Sequence, residues 1–184
     1  VCSSDLGQHI LVTGASSAVG HYITQMLSRA GATVIGTVGN PAKAAHAQAA
    51  GAAHCILYKS EDVVARVKAL TGGQGVDAVI DMDFSTTAGW LSHGVLKAHG
   101  QVVCYGSNPP PDIAIGFRPL LFSSIGLKFF LVYDLTPADR QACLAQLSEM
   151  LAQGQLTHTI GAVFALDQVV QAHKTVEAGQ TIGN

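Results

Sequence analysis

Seven small residues, Gly14-Ala15-Ser16-Ser17-Ala18-Val19-Gly20, follow the β-branched and aliphatic run His9 to Thr13 and lead straight into a segment of helical apolar spacing. A strand, glycine-containing turn and helix in that order form an anion site. The first amides of the helix have no intrahelical acceptor, and its dipole is positive at that end. Small side chains admit a pyrophosphate to the backbone, and Gly20 lets the helix pack closely on the sheet. Set on the pattern G-x-G-x-x-G, the turn reads Ala15, Ser17 and Gly20, so its setting carries the expectation more than its letters do.

A site for NAD places Asp or Glu about 20 residues beyond such a turn, where the carboxylate binds the ribose 2′-OH. No acidic residue occurs between Asp5 and Glu61. The second strand ends Thr37-Val38-Gly39-Asn40 instead, and Lys43 lies just inside the next helix. A cation without a competing carboxylate suits a 2′-phosphate, so NADPH is expected in preference to NADH.

The elements that hold this turn alternate regularly. Val19, Tyr22, Ile23, Met26, Leu27 and Ala30 share helical spacing, Gly31 is placed to close the helix, and Thr33 to Val38 reads as a second strand. Asn40 caps a helix with Pro41 in its first turn, and His54 to Tyr58 is a third strand. Ser60 caps Glu61 to Leu70, Val76 to Asp81 is a fourth strand, Thr87 to Ala98 a helix and Gln101 to Tyr105 a fifth strand. Asn108-Pro109-Pro110-Pro111 interrupts the rhythm before a sixth strand, Leu127 to Val132. Thr136 then starts an amphipathic helix with Leu144, Leu147 and Leu151 on one face, followed by a short strand, Ala162 to Ala165, and a helix from Asp167 to Ala178. This alternation predicts an α/β, doubly wound parallel sheet of six strands.

Composition excludes several classes. Charged residues make up 12% and the formal net charge is -2, so there is no basic field for nucleic acid or an anionic membrane. The apolar stretch from Leu120 to Tyr133 is interrupted by Ser123, Ser124 and Lys128 and is too short to span a bilayer. A cytoplasmic protein with small-molecule ligands is expected. Cys2, Cys55, Cys104 and Cys143 show no zinc-ligand spacing, three of them lie inside apolar segments, and they read as buried thiols. The eight histidines likewise assemble no metal set and read as surface or helix-end residues. The expected organisation is a non-native or truncated end over 1–7, a cofactor domain over 8–134, and a segment over 135–184 that returns to an absent domain.

The ordered set GASSAVG at 14–20, VIGTVGNPAK at 34–43, ILYKSEDVV at 56–64, LTGGQGVDAVID at 70–81 and GQVVCYGS at 100–107 resembles the zeta-crystallin-like NADPH:quinone oxidoreductases. These are a zinc-free branch of the medium-chain dehydrogenases/reductases. The resemblance implies that Ser16, Ser17, Ala18 and Val19 lie along the pyrophosphate, and that Asn40, Lys43 and Tyr58 surround the ribose phosphate. It implies that Tyr105, Gly106 and Ser107, with Phe130 to Val132, approach the nicotinamide. It implies a parent enzyme that passes hydride from NADPH to a quinone or enone, a GroES-like catalytic domain, and a homodimer through the strand at 127–132. No catalytic residue follows from it. The chain departs from the family where Gly is common at the places of Ser17 and Ala18, and where a Val-Gly pair stands at Asp83-Phe84.

Two other enzyme classes fail on chemistry. A short-chain dehydrogenase needs Tyr-x-x-x-Lys, and none of the four tyrosines has Lys four residues on. A hydrolase nucleophile elbow at Ser16 lacks its closing glycine. A cofactor-binding module without catalysis of its own stays open.

Overall fold

The computed structural model of the chain describes residues 7–106, 112–179 and 181–183. Ser107 and the Asn108–Pro111 break lie outside them. Six strands, β1 (His9–Val12), β2 (Thr33–Val38), β3 (His54–Leu57), β4 (Val76–Asp81), β5 (Leu96–Cys104) and β6 (Gly126–Phe129), form one sheet in the order β3-β2-β1-β4-β5-β6. Every pairing is parallel. The intervening helices are α1 (Ala18–Arg29), α2 (Pro41–Ala49), α3 (Val63–Leu70), α4 (Phe84–Leu91) and α5 (Phe117–Phe122). Two more, α6 (Pro137–Ala152) and α7 (Val169–Glu177), follow the sheet.

Alternate strand residues face opposite sides, and the core accordingly divides in two. Leu11, Ile35, Val79 and Val102 pack with Val67 of α3, Phe84 and Ala88 of α4 and Leu120 of α5. Ile10, Val12 and Val34 pack with Leu27 of α1 and Ala47 of α2. Each fully buried Leu, Ile or Val contributes about 1.5–3 kcal/mol relative to exposure. The chain runs outward from β1 to β3 and returns to the other side at β4. The strand order therefore reverses between β1 and β4, which opens a crevice outside their C-terminal ends.

Local signals behave as read. Gly31 has φ 86°, which a side chain disfavours, and its amide closes α1 on Ser28. Asn40 accepts from the Lys43 amide at 2.9 Å, and Thr136 accepts from that of Asp139 at 3.2 Å.

Several boundaries differ from expectation. α3 is capped by Asp62, which accepts from the Ala65 amide at 3.0 Å, and not by Ser60. The carboxylate of Glu61 turns back to the Leu57 amide at 2.7 Å and to Arg66 at 2.9 Å, which draws that residue out of the helix. β3 ends at Leu57, one residue before Tyr58. The helix expected over Thr87 to Ala98 is α4, three residues earlier in its start and ended by Leu91, because β5 already begins at Leu96. An irregularity in register, from Val76 opposite Leu96 to Ala78 opposite Gln101, absorbs the extra residues, with His99 at φ 64°.

β6 stops at Phe129, not Val132. The Phe130 amide still reaches the Cys104 carbonyl at 3.1 Å, but β5 ends there, and Val132–Asp134 turns into a single 3-10 turn. No strand forms over Ala162 to Ala165, a segment with no regular element and no ladder partner among the described residues. Leu166–Gln168 forms a 3-10 turn ahead of α7. The apolar residues of α6, Leu144, Leu147 and Leu151, are exposed, as is Cys143, so the expectation of a buried thiol fails there. No helix among the described residues is long and apolar enough to cross a membrane.

Candidate functional site

The turn between β1 and α1 is pinned to β2. The Gly14 amide donates to Thr37 Oγ1 at 3.1 Å and the Ala15 amide to the Thr37 carbonyl at 3.1 Å. Ala15 is fully buried and lies so close to Gly36 that a β-carbon there would stand 2.6 Å from its own. Gly14 has φ 63°, and a β-carbon on Gly20 would strike the Gly14 carbonyl, so both ends of the turn require glycine. Ser17 caps α1 by accepting from the Gly20 amide at 3.0 Å. The amides of Ala18 and Val19, in the first helical turn, have no preceding helical carbonyl to serve. That is the arrangement a pyrophosphate requires.

From this turn a cleft of about 800 Å³ runs along the ends of β1 and β2. Gly14, Ser16, Ser17 and Ala18 line one end, and Asn40, Lys43, Tyr58 and Lys59 the other. No Asp or Glu lines it among the described residues. Gly39 makes room for the far end: a β-carbon there would stand 3.4 Å from Tyr58 Oη and 3.8 Å from Lys59 Cε. Lys59 follows Tyr58 directly and went unread because nothing local marks it. Gly179, Thr181, Ile182 and Gly183 also reach the cleft, with a β-carbon on Gly179 lying 4.0 Å from Lys43 Nζ. Met82, at the C-terminal end of β4, closes the side nearest Gly14.

The residues expected around the nicotinamide border a second space. Tyr105, Phe130 and Val132 line a second, largely apolar cavity of about 820 Å³, and Val19 joins them there. Its walls are α1 and the sheet face carrying Ile10, Ala78, Ile80 and Val103. The Tyr105 and Phe130 rings are 6.5 Å apart. Gly106 stands between the two regions, for a β-carbon on it would strike the Met82 carbonyl.

A buried carboxylate organises the crevice. Asp81 Oδ1 accepts from Thr13 Oγ1 at 2.9 Å, from Thr87 Oγ1 at 2.7 Å and from the Asp83 amide at 3.1 Å, which joins β1, β4 and the start of α4. Burial, and then the Asp81 charge, push the Cys104 thiol and the Tyr105 phenol up from their ordinary values. Both stay protonated at neutral pH.

One histidine breaks the surface expectation. His21, in the second turn of α1, is buried and stacks on His46 of α2 with ring centroids 4.3 Å apart and planes 9° from parallel. Burial lowers the pKa of both imidazoles; each then faces a neighbouring imidazole, His158 for His21 and His21 for His46. Tyr22 Oη, next along α1, meets His158 Nδ1 at 2.6 Å. No group of three or more His, Cys, Asp or Glu among the described residues is placed to hold a metal ion.

A doubly wound parallel sheet, an anion-binding turn at its switch point and a flanking cleft define a dinucleotide-binding domain. The family model for zinc-binding dehydrogenases matches residues 18–153, and the chain belongs to that family. It is 30% identical to a Burkholderia 2-haloacrylate reductase over 185 residues, covering 97% of this chain and 54% of the relative. Against a quinone oxidoreductase of Sus scrofa it is 28% identical, covering 92% of the chain and 51% of the relative. An Escherichia coli quinone oxidoreductase solved with NADPH superposes with a TM-score of 0.81 at 27% identity, over 97% of this chain and 56% of that one. A mycobacterial protein solved with NADPH gives 0.84 at 28%, over 97% and 56%. The chain thus spans about half the length of the relatives it matches.

Proposed function

We propose that the cleft binds NADPH, and that the chain is the cofactor half of an oxidoreductase passing hydride to a quinone, enone or related carbonyl acceptor. The observation that carries this is the cleft itself, which joins the glycine turn to Lys43, Lys59 and Tyr58 and has no Asp or Glu side chain among the described residues that line it. The Ala18 and Val19 amides hold the pyrophosphate, while the two lysines and the Tyr58 hydroxyl take the 2′-phosphate. A carboxylate at the end of β2 would repel that phosphate, and there is none. The bound nicotinamide supplies the hydride; the chain's own residues supply orientation. Gly14 and Gly20 let the turn fold tightly against Met82 and onto itself, which keeps its backbone at the mouth of the cleft.

The reading extends to a zinc-independent enzyme, as the family resemblance implies. It extends to a cytoplasmic location, where the free thiols of Cys55 and Cys104 stay reduced. It also extends to a homodimer built by pairing two copies of β6, whose outer edge is unpaired in one chain.

Isothermal titration tests it. NADPH binds more tightly than NADH, and Lys43→Ala weakens NADPH about tenfold while leaving NADH unchanged. Equal affinities, indifferent to the substitution, refute the assignment. A binding module without reductase activity is the second reading. NADPH oxidation by the chain in the presence of p-benzoquinone separates the two.

A further inference from the structure

Met82 occupies the switch-point crevice between two glycines. Its amide donates to Thr13 Oγ1 at 2.9 Å, a β-carbon on Gly106 would strike its carbonyl, and one on Gly14 would strike its sulfur. The backbone is held from both sides, and the thioether lies against the anion-binding turn in the space that Gly14 leaves by having no side chain. Met82 is 37% exposed and borders the cleft, whereas the other two methionines, Met26 and Met150, are more buried. The residue thus combines partial exposure along the cleft with contact to the anion-binding turn.

We propose that Met82 is an oxidation site through which hydroperoxides lower the affinity of the cleft for its dinucleotide; the inference rests on the NADPH reading above. The sulfur lone pair attacks one peroxide oxygen, an S–O bond forms and the O–O bond breaks. The departing oxygen takes the proton and leaves as water or an alcohol. Sulfur loses two electrons and the peroxide gains them. The product is a sulfoxide, a polar and chiral group one atom larger than the thioether. Gly14 closes one side of the sulfur, so peroxide arrives from the cleft side and the new oxygen projects into the cleft beside the turn. That oxygen is moreover an acceptor, of the same polarity as the pyrophosphate that the turn receives. Both consequences weaken cofactor binding, and methionine sulfoxide reductases reverse them.

The test treats the chain with hydrogen peroxide, then with dithiothreitol to restore cysteines, and follows oxygen addition by peptide mass and NADPH affinity by titration. Met82 gains oxygen before Met26 and Met150, affinity falls about tenfold in step with it, and the reductases restore both. A chain carrying Met26→Leu and Met150→Leu still loses affinity; one carrying Met82→Leu, whatever its starting affinity, loses no more on treatment. Three results overturn the inference: Met82 oxidising last, a Met82-oxidised chain binding NADPH as before, or the loss persisting in Met82→Leu. An untreated chain that takes no NADPH overturns the cofactor reading and this inference with it, and is told apart by needing no oxidant.

Discussion

Thr13 and Asp81 meet at the ends of two adjacent strands, where the threonine hydroxyl donates to the carboxylate at 2.9 Å and accepts from the Met82 amide at 2.9 Å. One hydroxyl thus ties the strand that feeds the phosphate turn to the strand across the crevice. Asp81→Ala strands the Thr87 hydroxyl in the interior and leaves that of Thr13 only its longer bond to the Ile80 carbonyl at 3.4 Å, at a cost of about 3 kcal/mol. Asp81→Asn keeps an acceptor in place and costs about 1 kcal/mol. Urea unfolding of the two variants is the measurement, and equal midpoints would remove Asp81 from its organising role.

The His21–His46 stack makes stability depend on pH with a definite sign. Both imidazoles titrate below their ordinary value of 6.5 in the folded chain, so the folded state takes up protons less readily than the unfolded. Stability is therefore full above pH 6.5 and declines as pH falls through that value toward the lowered folded pKa values. Thermal midpoints from about pH 8 down to about pH 5 trace it. In His46→Gln the decline is shallower, since one of the two depressed groups is gone; an unchanged slope would show that other groups carry it.

Ser17 both caps α1 and borders the phosphates, and one substitution separates the roles. Ser17→Asp keeps a capping oxygen, so stability changes by less than about 1 kcal/mol, while its charge opposes the pyrophosphate. NADPH affinity then falls by about two orders of magnitude with an unchanged circular dichroism spectrum. Retained affinity would move the anion site away from this turn.

Pairing through β6 requires its outer edge. The Phe130 amide points inward to Cys104, so by the alternation of a parallel ladder Phe129 presents its amide outward. Phe129→Pro removes that outer donor without touching the inner bond. Sedimentation equilibrium gives a dimer mass for the parent chain and a monomer mass for the variant; a parent monomer refutes the dimer.

Much of this architecture was legible because its signals are local. Gly31, Asn40 and Thr136 each fix a helix end within a few residues, and the apolar runs of β1, β2 and β4 need no partner to be read as strands. What escaped depends on partners distant in sequence. Leu96–Gly100 joins β5 only by way of an irregular register with β4, and Ala162 to Ala165 has the residues of a strand but no neighbour to pair with. At the site, the turn and Lys43 declared themselves by spacing. Lys59, Met82, Gly179 and Thr181 gain meaning only from what the fold sets beside them. The stacking of His21 on His46 brings together residues from two helices, and no local rule couples them.

The apolar cavity between α1 and the sheet also decides how unfolding is best watched. A native face walled by Ile10, Ile23, Ala78, Ile80 and Val103 takes up hydrophobic fluorophores before any heating, so a dye-based melting curve starts bright and understates the transition. The single tryptophan, Trp90, sits on α4 and packs against the core on the opposite side of the sheet. Its emission reports loss of the folded interior free of that background, which makes it the natural optical probe for every stability comparison on this chain.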